Sequence, residues 1–203
     1  HTTFTVYDGA NRLRLSMDAE GGVSRQWYDA SGHVTQALDA RGTRSNYEYD
    51  SRGWQSKRVE AVGTNVQRTT RMSYDLAGNL AQTEEQRGYS GQSLAGPASL
   101  ITQYAYDATG NPTTITYPNL DTELYSYNGF SQPLTHTDGN AHTTSYTYDG
   151  EGNLTVVEDP VHNRTTMTYT ANGRVETVKD ANSNVTSFQY DSQDRLTTVT
   201  YPG

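Results

Sequence analysis

The 203-residue sequence contains no cysteine, which excludes disulfide bonds, thiolate metal sites and a cysteine nucleophile. It also lacks an apolar run long enough to cross a bilayer and a recognisable signal peptide, so we expect no direct membrane insertion. Only 33% of the residues are hydrophobic, which is too few for a thick aliphatic core. The net charge of −8 does not provide the basic footprint that nucleic-acid binding requires.

Tyrosine, by contrast, is abundant, with 16 copies, and nine of them recur at regular positions. These are Tyr7, Tyr28, Tyr49, Tyr74, Tyr106, Tyr127, Tyr148, Tyr169 and Tyr190. Six of the eight intervals are 21 residues long, and the other two are 25 and 32. A fixed period predicts a repeat protein in which each unit packs only against its neighbours. We therefore expect a single array of about nine units across residues 1–203. Because both termini lie inside the repeat, we expect a segment of a longer protein.

Each unit predicts two strands. Thr144, Tyr146 and Tyr148 share one face of the first strand in the seventh unit, which is the alternation of a half-buried strand. Large residues also occupy the position two before the repeat tyrosine, as Tyr47, Met72, Tyr104, Tyr125, Met167 and Phe188, which predicts ladders along the sheet. In the second strand, Val157 follows Leu154 by three places, and a β-bulge would bring both to one face.

Two turns separate these strands. The first turn is Asp-x-x-Gly, in which aspartate caps the turn and glycine accepts a positive φ. It occurs as Asp29 to Gly32, Asp50 to Gly53, Asp75 to Gly78, Asp107 to Gly110 and Asp149 to Gly152, with Gly173 and Asp191 in the corresponding positions of the last two units. Asn11 and Asp194 replace the glycine and tolerate the same backbone region. The second turn begins at Asp18, Asp39, Asp138, Asp159 and Asp180. Short turns on both sides predict an all-β fold, a continuous antiparallel β-hairpin repeat array without helices.

Two insertions interrupt the period, near residues 61–67 and 84–100, and both are predicted to be loops. Long surface loops cost little stability, so they can be tolerated lengthenings. Insertions in repeat proteins also form binding faces. Tyr89, in the longer insertion, is the one tyrosine outside the repeat register, and it is therefore the candidate for a ligand contact.

The recurring Tyr-Asp-x-x-Gly-x-Leu and the linkage Asp-x-x-Gly-x-x-Thr-x-Tyr-x-Tyr-Asp resemble the Rhs/YD-repeat family across residues 4–203. The resemblance implies a spiralling antiparallel sheet that closes into a hollow shell in full-length members. In bacterial Rhs toxins and insecticidal toxin complexes the shell encloses a C-terminal toxin, and in teneurins it belongs to an adhesion ectodomain. The implied partners are the remaining repeats and the toxin cargo of the same polypeptide, in a secreted or bacterial cell-surface protein. The family's aspartic autoprotease segment has no counterpart here, and nine units are too few to close a chamber. We therefore expect an arc of wall with exposed edge strands that can pair between copies.

Chemical sites are less well supported by the residues. His33, His136, His142 and His162 lack metal-ligand spacing, and no nucleophile elbow, phosphate loop or dinucleotide fingerprint is present. Each aspartate turn offers one carboxylate, whereas calcium takes six to eight oxygen ligands. We therefore expect no enzyme, no metal and no cofactor. The aromatic face leaves a second function open, an adhesion module that binds a glycan, a protein or a surface receptor.

Overall fold

The computed structural model describes residues 3–88 and 99–203. These residues form 18 β-strands, and none of them lies in a helix that could span a membrane. The chain divides into a first unit of residues 1–104 and a second unit of residues 105–203. The strands of the first unit are β1 (Phe4–Tyr7), β2 (Leu13–Met17), β3 (Val23–Tyr28), β4 (Val34–Leu38), β5 (Arg44–Tyr49), β6 (Gln55–Glu60), β7 (Arg68–Tyr74) and β8 (Leu80–Arg87). Strand β9 (Leu100–Tyr106) begins in the first unit and ends in the second. The strands of the second unit are β10 (Pro112–Thr116), β11 (Thr122–Tyr127), β12 (Pro133–Thr137), β13 (Thr143–Tyr148), β14 (Leu154–Glu158), β15 (Arg164–Tyr169), β16 (Val175–Lys179), β17 (Val185–Tyr190) and β18 (Leu196–Thr200).

Every strand within a unit pairs antiparallel with the next strand along the chain. The pairs run from β1–β2 to β8–β9 in the first unit and from β10–β11 to β17–β18 in the second. Short hairpin turns permit only this neighbour-to-neighbour order. The predicted antiparallel hairpin array is therefore confirmed.

A β-bulge recurs in the hairpins that eight of the nine repeat tyrosines close. In the seventh repeat Thr147 pairs with Val156 and Tyr148 pairs with Leu154, so Thr155 is the extra residue. The Thr155 hydroxyl donates to the Thr147 carbonyl at 3.1 Å, which gives the interrupted ladder an additional bond. The bulge that the spacing of apolar residues predicted is thus present, and it brings Leu154 and Val157 to the same face.

The two faces of the sheet differ in character. The tyrosine face is the side that carries the repeat tyrosines, and cross-strand partners share it, as Tyr146 with Val157 and Met167 with Val178. The polar face is the opposite side, where Thr168 opposes Thr177 and their hydroxyls lie 2.7 Å apart. Alternation along each strand separates the two sets.

Among the described residues no hydrophobic side chain is buried, and Thr69, at 8% exposure, is the single buried polar residue. Most tyrosine-face residues are instead half-buried against their ladder neighbours, whereas Tyr7 and Leu196 are exposed. The low hydrophobic content is therefore reflected in the structure: within the described residues of each unit, no second layer covers either face of the sheet. Its stability comes from ladders, turns and contacts between adjacent hairpins.

The two insertions differ in structure. Residues 61–67 form turns between β6 and β7. A loop was also expected near 84–100, but residues 84–87 continue β8 and Leu100 begins β9. The reason is that Glu84 and Glu85 still have cross-strand partners in β7, Arg71 and Thr70. Tyr89 lies outside the described residues.

Candidate functional surface

The repeat tyrosines connect adjacent hairpins through their hydroxyls. The Tyr169 hydroxyl donates to the Leu154 carbonyl at 2.7 Å, and Leu154 is the first residue of the preceding strand β14. Equivalent bonds of 2.7–3.0 Å run from Tyr28 to Leu13, Tyr49 to Val34, Tyr74 to Gln55, Tyr148 to Pro133 and Tyr190 to Val175. Partial burial raises the pKa of Tyr49, Tyr127, Tyr148 and Tyr169, which keeps these hydroxyls protonated. Each bond therefore links one hairpin to the one before it.

The aspartate turns use their carboxylates as internal acceptors. Oδ1 of Asp149 accepts the N–H groups of Glu151 and Asn153, and Oδ2 accepts the Asn153 amide at 3.0 Å. These hydrogen bonds hold the pKa of Asp149 below its usual value, and the bond from the Asn153 side chain contributes most. In the same way Asn111 and Thr109 lower the pKa of Asp107 to about 2. The carboxylates therefore cap turns rather than project as free ligands.

Both kinds of turn share one backbone geometry, and this was not expected from the sequence. The opening residue accepts the N–H three residues on and donates to the carbonyl four residues on, as at Asp149 and at Asp159. The third residue after the opening one has positive φ, which is 87° at Gly152 and 66° at His162. In the second turns this position is Gly21 and Gly42 in the first unit, but Leu120, Ala141, His162 and Ser183 in the second. A turn of this type is a three-residue hairpin loop with a bulge.

In several repeats the residue that follows the first turn reaches the next repeat. In the first unit, Arg12 lies 4.5 Å from the Tyr28 ring centre, His33 stacks on Tyr49 at 4.6 Å, and Trp54 packs against Tyr74 at 5.2 Å. In the second unit the equivalent Gln132 instead donates to the Gly152 carbonyl at 2.7 Å. Both arrangements tie one turn to its neighbour, the first by ring contacts and the second by amide hydrogen bonds.

A polar cluster interrupts the tyrosine face at Glu123. Its carboxylate accepts the hydroxyls of Tyr117 at 3.0 Å and Tyr125 at 2.5 Å, and these bonds lower the pKa of Glu123 and raise that of Tyr125. His136 stacks on Tyr125 at 4.6 Å and places Nε2 3.5 Å from the Glu123 carboxylate. That buried nitrogen has no aligned hydrogen-bond partner in the described structure. Sequence reasoning gave no sign of this cluster, because its members come from different strands and turns.

A second polar network lies in the first unit and was also not expected. Glu60 pairs with Arg58 at 3.3 Å and with Arg68 at 2.6 Å, while Glu85 pairs with Arg68 at 3.7 Å and with Arg87 at 2.9 Å. These side chains are partly exposed, so each pair contributes little to stability. The network makes this part of the sheet charged.

The remaining histidines bond within their own hairpins. His33 contacts Asp29 at 3.1 Å, His142 contacts Asp138 at 3.2 Å and His162 contacts Glu158 at 2.8 Å. Among the described residues no three histidines or carboxylates come together as metal ligands.

The grooves along the surface are open, and one lies between adjacent turns of the second unit. Phe130, Leu134, Tyr146 and Tyr148 contribute to its lining. The Phe130 ring, in the turn between β11 and β12, is 87% exposed.

The fold and its turns define an all-β hairpin-repeat protein. The sequence signature described as RHS Repeat matches residues 28–65, 92–122, 127–164, 148–182 and 169–203, which together cover more than half of the chain. The chain therefore belongs to the Rhs repeat family, as the tyrosine and aspartate motifs indicated. A search of curated protein sequences gave no match.

Solved structures of toxin complexes have a similar fold. The crystal structure of TcdB2-TccC3-TEV aligns with a TM-score of 0.60 and 14% identity, covering 98% of this chain and 12% of that one. The Photorhabdus luminescens Tc holotoxin pore aligns with a TM-score of 0.62 and 16% identity, covering 98% of this chain and 13% of that one. At this identity the similarity establishes the fold alone. The chain spans about an eighth of the length of either structure.

Proposed function

We propose that this chain is a structural wall segment of a secreted or cell-surface Rhs-type toxin. Its residues 1–203 form one array of about nine repeats, and the wall confines a C-terminal toxin of the same polypeptide. The observation that carries the proposal is the tyrosine-to-carbonyl bond repeated at six hairpins, which ties each of them to the previous one without a buried core among the described residues. A sheet held by such local links can be extended by adding units, because no unit depends on a central core.

The geometry also suits a barrier rather than a reaction centre. Turn carboxylates are engaged by neighbouring backbone N–H groups, and the repeat hydroxyls are engaged by carbonyls. These carboxylates and hydroxyls are therefore engaged in maintaining the wall. We accordingly propose no enzymatic role for this segment.

The test uses the full parent protein, obtained by sequencing its gene beyond Gly203 and expressing the product. If the wall confines a toxin, a C-terminal segment should resist a protease that degrades it quickly once separated. Replacing Tyr148, Tyr169 and Tyr190 together by phenylalanine should speed its cleavage in the intact protein, because the links between hairpins are lost. Cleavage at the same rate in the intact and separated forms would contradict the proposal.

A second candidate function is an adhesion module that binds a glycan or protein, favoured by the exposed ring of Phe130. The ring lines the same open groove as Tyr146 and Tyr148, and exposed aromatic faces of this kind can stack on sugars. A glycan array with the wild type and Phe130→Ala tests this role. Binding that the substitution abolishes would support adhesion, and the absence of any binding would count against it.

A further inference from the structure

One part of the tyrosine face is apolar and uncharged. In strands β13 to β18 its central row consists of half-buried residues that pair across the strands: Tyr146, Val157, Met167, Val178, Phe188 and Val199. We call this row, with the repeat tyrosines Tyr148, Tyr169 and Tyr190 beside it, the apolar patch. No second layer covers it within the described structure, because no hydrophobic side chain there is buried.

The hydroxyls of the three repeat tyrosines in the apolar patch are already paired. Those of Tyr148, Tyr169 and Tyr190 donate to the carbonyls of Pro133, Leu154 and Val175 at 2.7–3.0 Å. Covering polar atoms usually costs free energy because it leaves hydrogen-bond donors unsatisfied. Removing these three tyrosines from water would leave none of their hydroxyl donors unsatisfied. The patch can be covered by an apolar surface without this cost at its repeat tyrosines.

The opposite face lacks this property. On the same strands it presents Thr147, Thr168 and Gln189, which are exposed. The tyrosine face of the first unit differs as well, since Arg58 pairs with Tyr47 there and Glu60 binds Arg58. In the described part of the second unit, the apolar patch combines neutral charge with paired hydroxyls at its three repeat tyrosines.

The size of the apolar patch matches what a self-complementary pair requires. Six strands spaced about 4.8 Å apart and about 18 Å long give a footprint of about 500 Å². Two copies facing each other would cover about 1,000 Å², which is the lower limit for a specific interface. We propose that a second copy of this chain covers the apolar patch, so that two sheets pack face to face about 10 Å apart as in a β-sandwich. The contact is distinct from pairing between edge strands, since it uses side chains rather than backbone groups.

The test compares two adjacent residues of β17 that lie on opposite faces. Phe188→Lys and Gln189→Lys add the same charge one residue apart, but only Phe188 belongs to the apolar patch. We expect sedimentation equilibrium of the 203-residue chain to show a reversible dimer in the micromolar range. Phe188→Lys should raise its dissociation constant at least tenfold, whereas Gln189→Lys should change it by less than about twofold. A larger rise in the dissociation constant for Phe188→Lys than for Gln189→Lys identifies the tyrosine face as the dimer interface.

A second variant guards against loss of folding. Met167→Gln keeps the length of the side chain while making it polar, and it should also raise the dissociation constant. Circular dichroism of each variant confirms that the sheet is intact. A wild-type chain that stays monomeric up to about 200 μM would overturn the proposal. So would a dimer that the Phe188 and Met167 variants leave unchanged, because edge pairing would then account for it.

Discussion

The two units of the chain use the same turns and the same tyrosine bonds, yet they connect their hairpins differently. In the first three repeats of the first unit the residue after the first turn is Arg12, His33 or Trp54, and each lies against the next repeat tyrosine. In the second unit the equivalent Gln132 donates an amide hydrogen bond to the next turn. The difference teaches that the tyrosine bond and the turn geometry are the constant parts of the repeat. The groups around them vary, and they determine how each position responds to substitution.

The largest expected effect is a loss of stability from alanine at a turn glycine, and it should differ between two such glycines. A Cβ at Gly78 would lie 2.7 Å from the Trp54 ring, whereas at Gly173 its nearest neighbour is Asn153 Oδ1 at 3.7 Å. Both have positive φ, so alanine strains both backbones by about 1–2 kcal/mol. Gly78→Ala must also displace a packed ring, so we expect its total cost to be about 2–4 kcal/mol. Urea denaturation of the two variants measures this, and equal losses would show that the ring does not restrict the turn.

A smaller effect of opposite sign is expected in the second turns. Ala141 has φ 62°, whereas the first unit has Gly42 at the equivalent position with φ 82°. Replacing Ala141 by glycine removes left-handed backbone strain and so adds about 1–2 kcal/mol to the free energy of unfolding. The greater conformational freedom of glycine in the unfolded chain offsets about half of this gain. Ala141→Gly should therefore stabilise the chain by about 0.5–1 kcal/mol, and Gly42→Ala should destabilise it. A lower melting temperature for Ala141→Gly would contradict the turn geometry.

The smallest effect concerns the acid range. The pKa values of Asp8 and Asp107 are both about 2, but the first depends mainly on the Arg12 side chain and the second on the uncharged donors Asn111 and Thr109. Each folded pKa lies below the ordinary value of 3.8, so the stabilisation is complete above about pH 4 and is lost as the pH falls toward 2. Salt should raise the pKa of Asp8 by a few tenths of a unit and leave that of Asp107 unchanged. NMR titration of the two carboxyls at low and high salt measures this, and equal shifts would contradict it.

Much of the fold could be predicted from the sequence because the period, the strand alternation and the turn chemistry are local signals. Asp149 and Gly152 defined a turn, and the spacing of Leu154 and Val157 defined the bulge at Thr155. The left-handed conformations of Leu120 and Ala141 were missed, because neither residue type favours that region and the hairpin imposes it. The cluster around Glu123 was missed because Tyr117, Tyr125 and His136 meet only after three segments are aligned. Such contacts depend on register, which no single stretch of sequence contains.

The central claim is that bonds between hairpins, rather than a core, hold this sheet together. The most direct measurement is the unfolding free energy of Tyr169→Phe, which removes the hydroxyl bonded to the Leu154 carbonyl and keeps the ring. Its matched control is Tyr146→Phe, since the Tyr146 hydroxyl makes no protein hydrogen bond in the described structure. We expect Tyr169→Phe to lose about 1 kcal/mol, the usual net value of such a bond, and the control to lose less than about 0.3 kcal/mol. Equal losses, or no loss at Tyr169, would contradict the account.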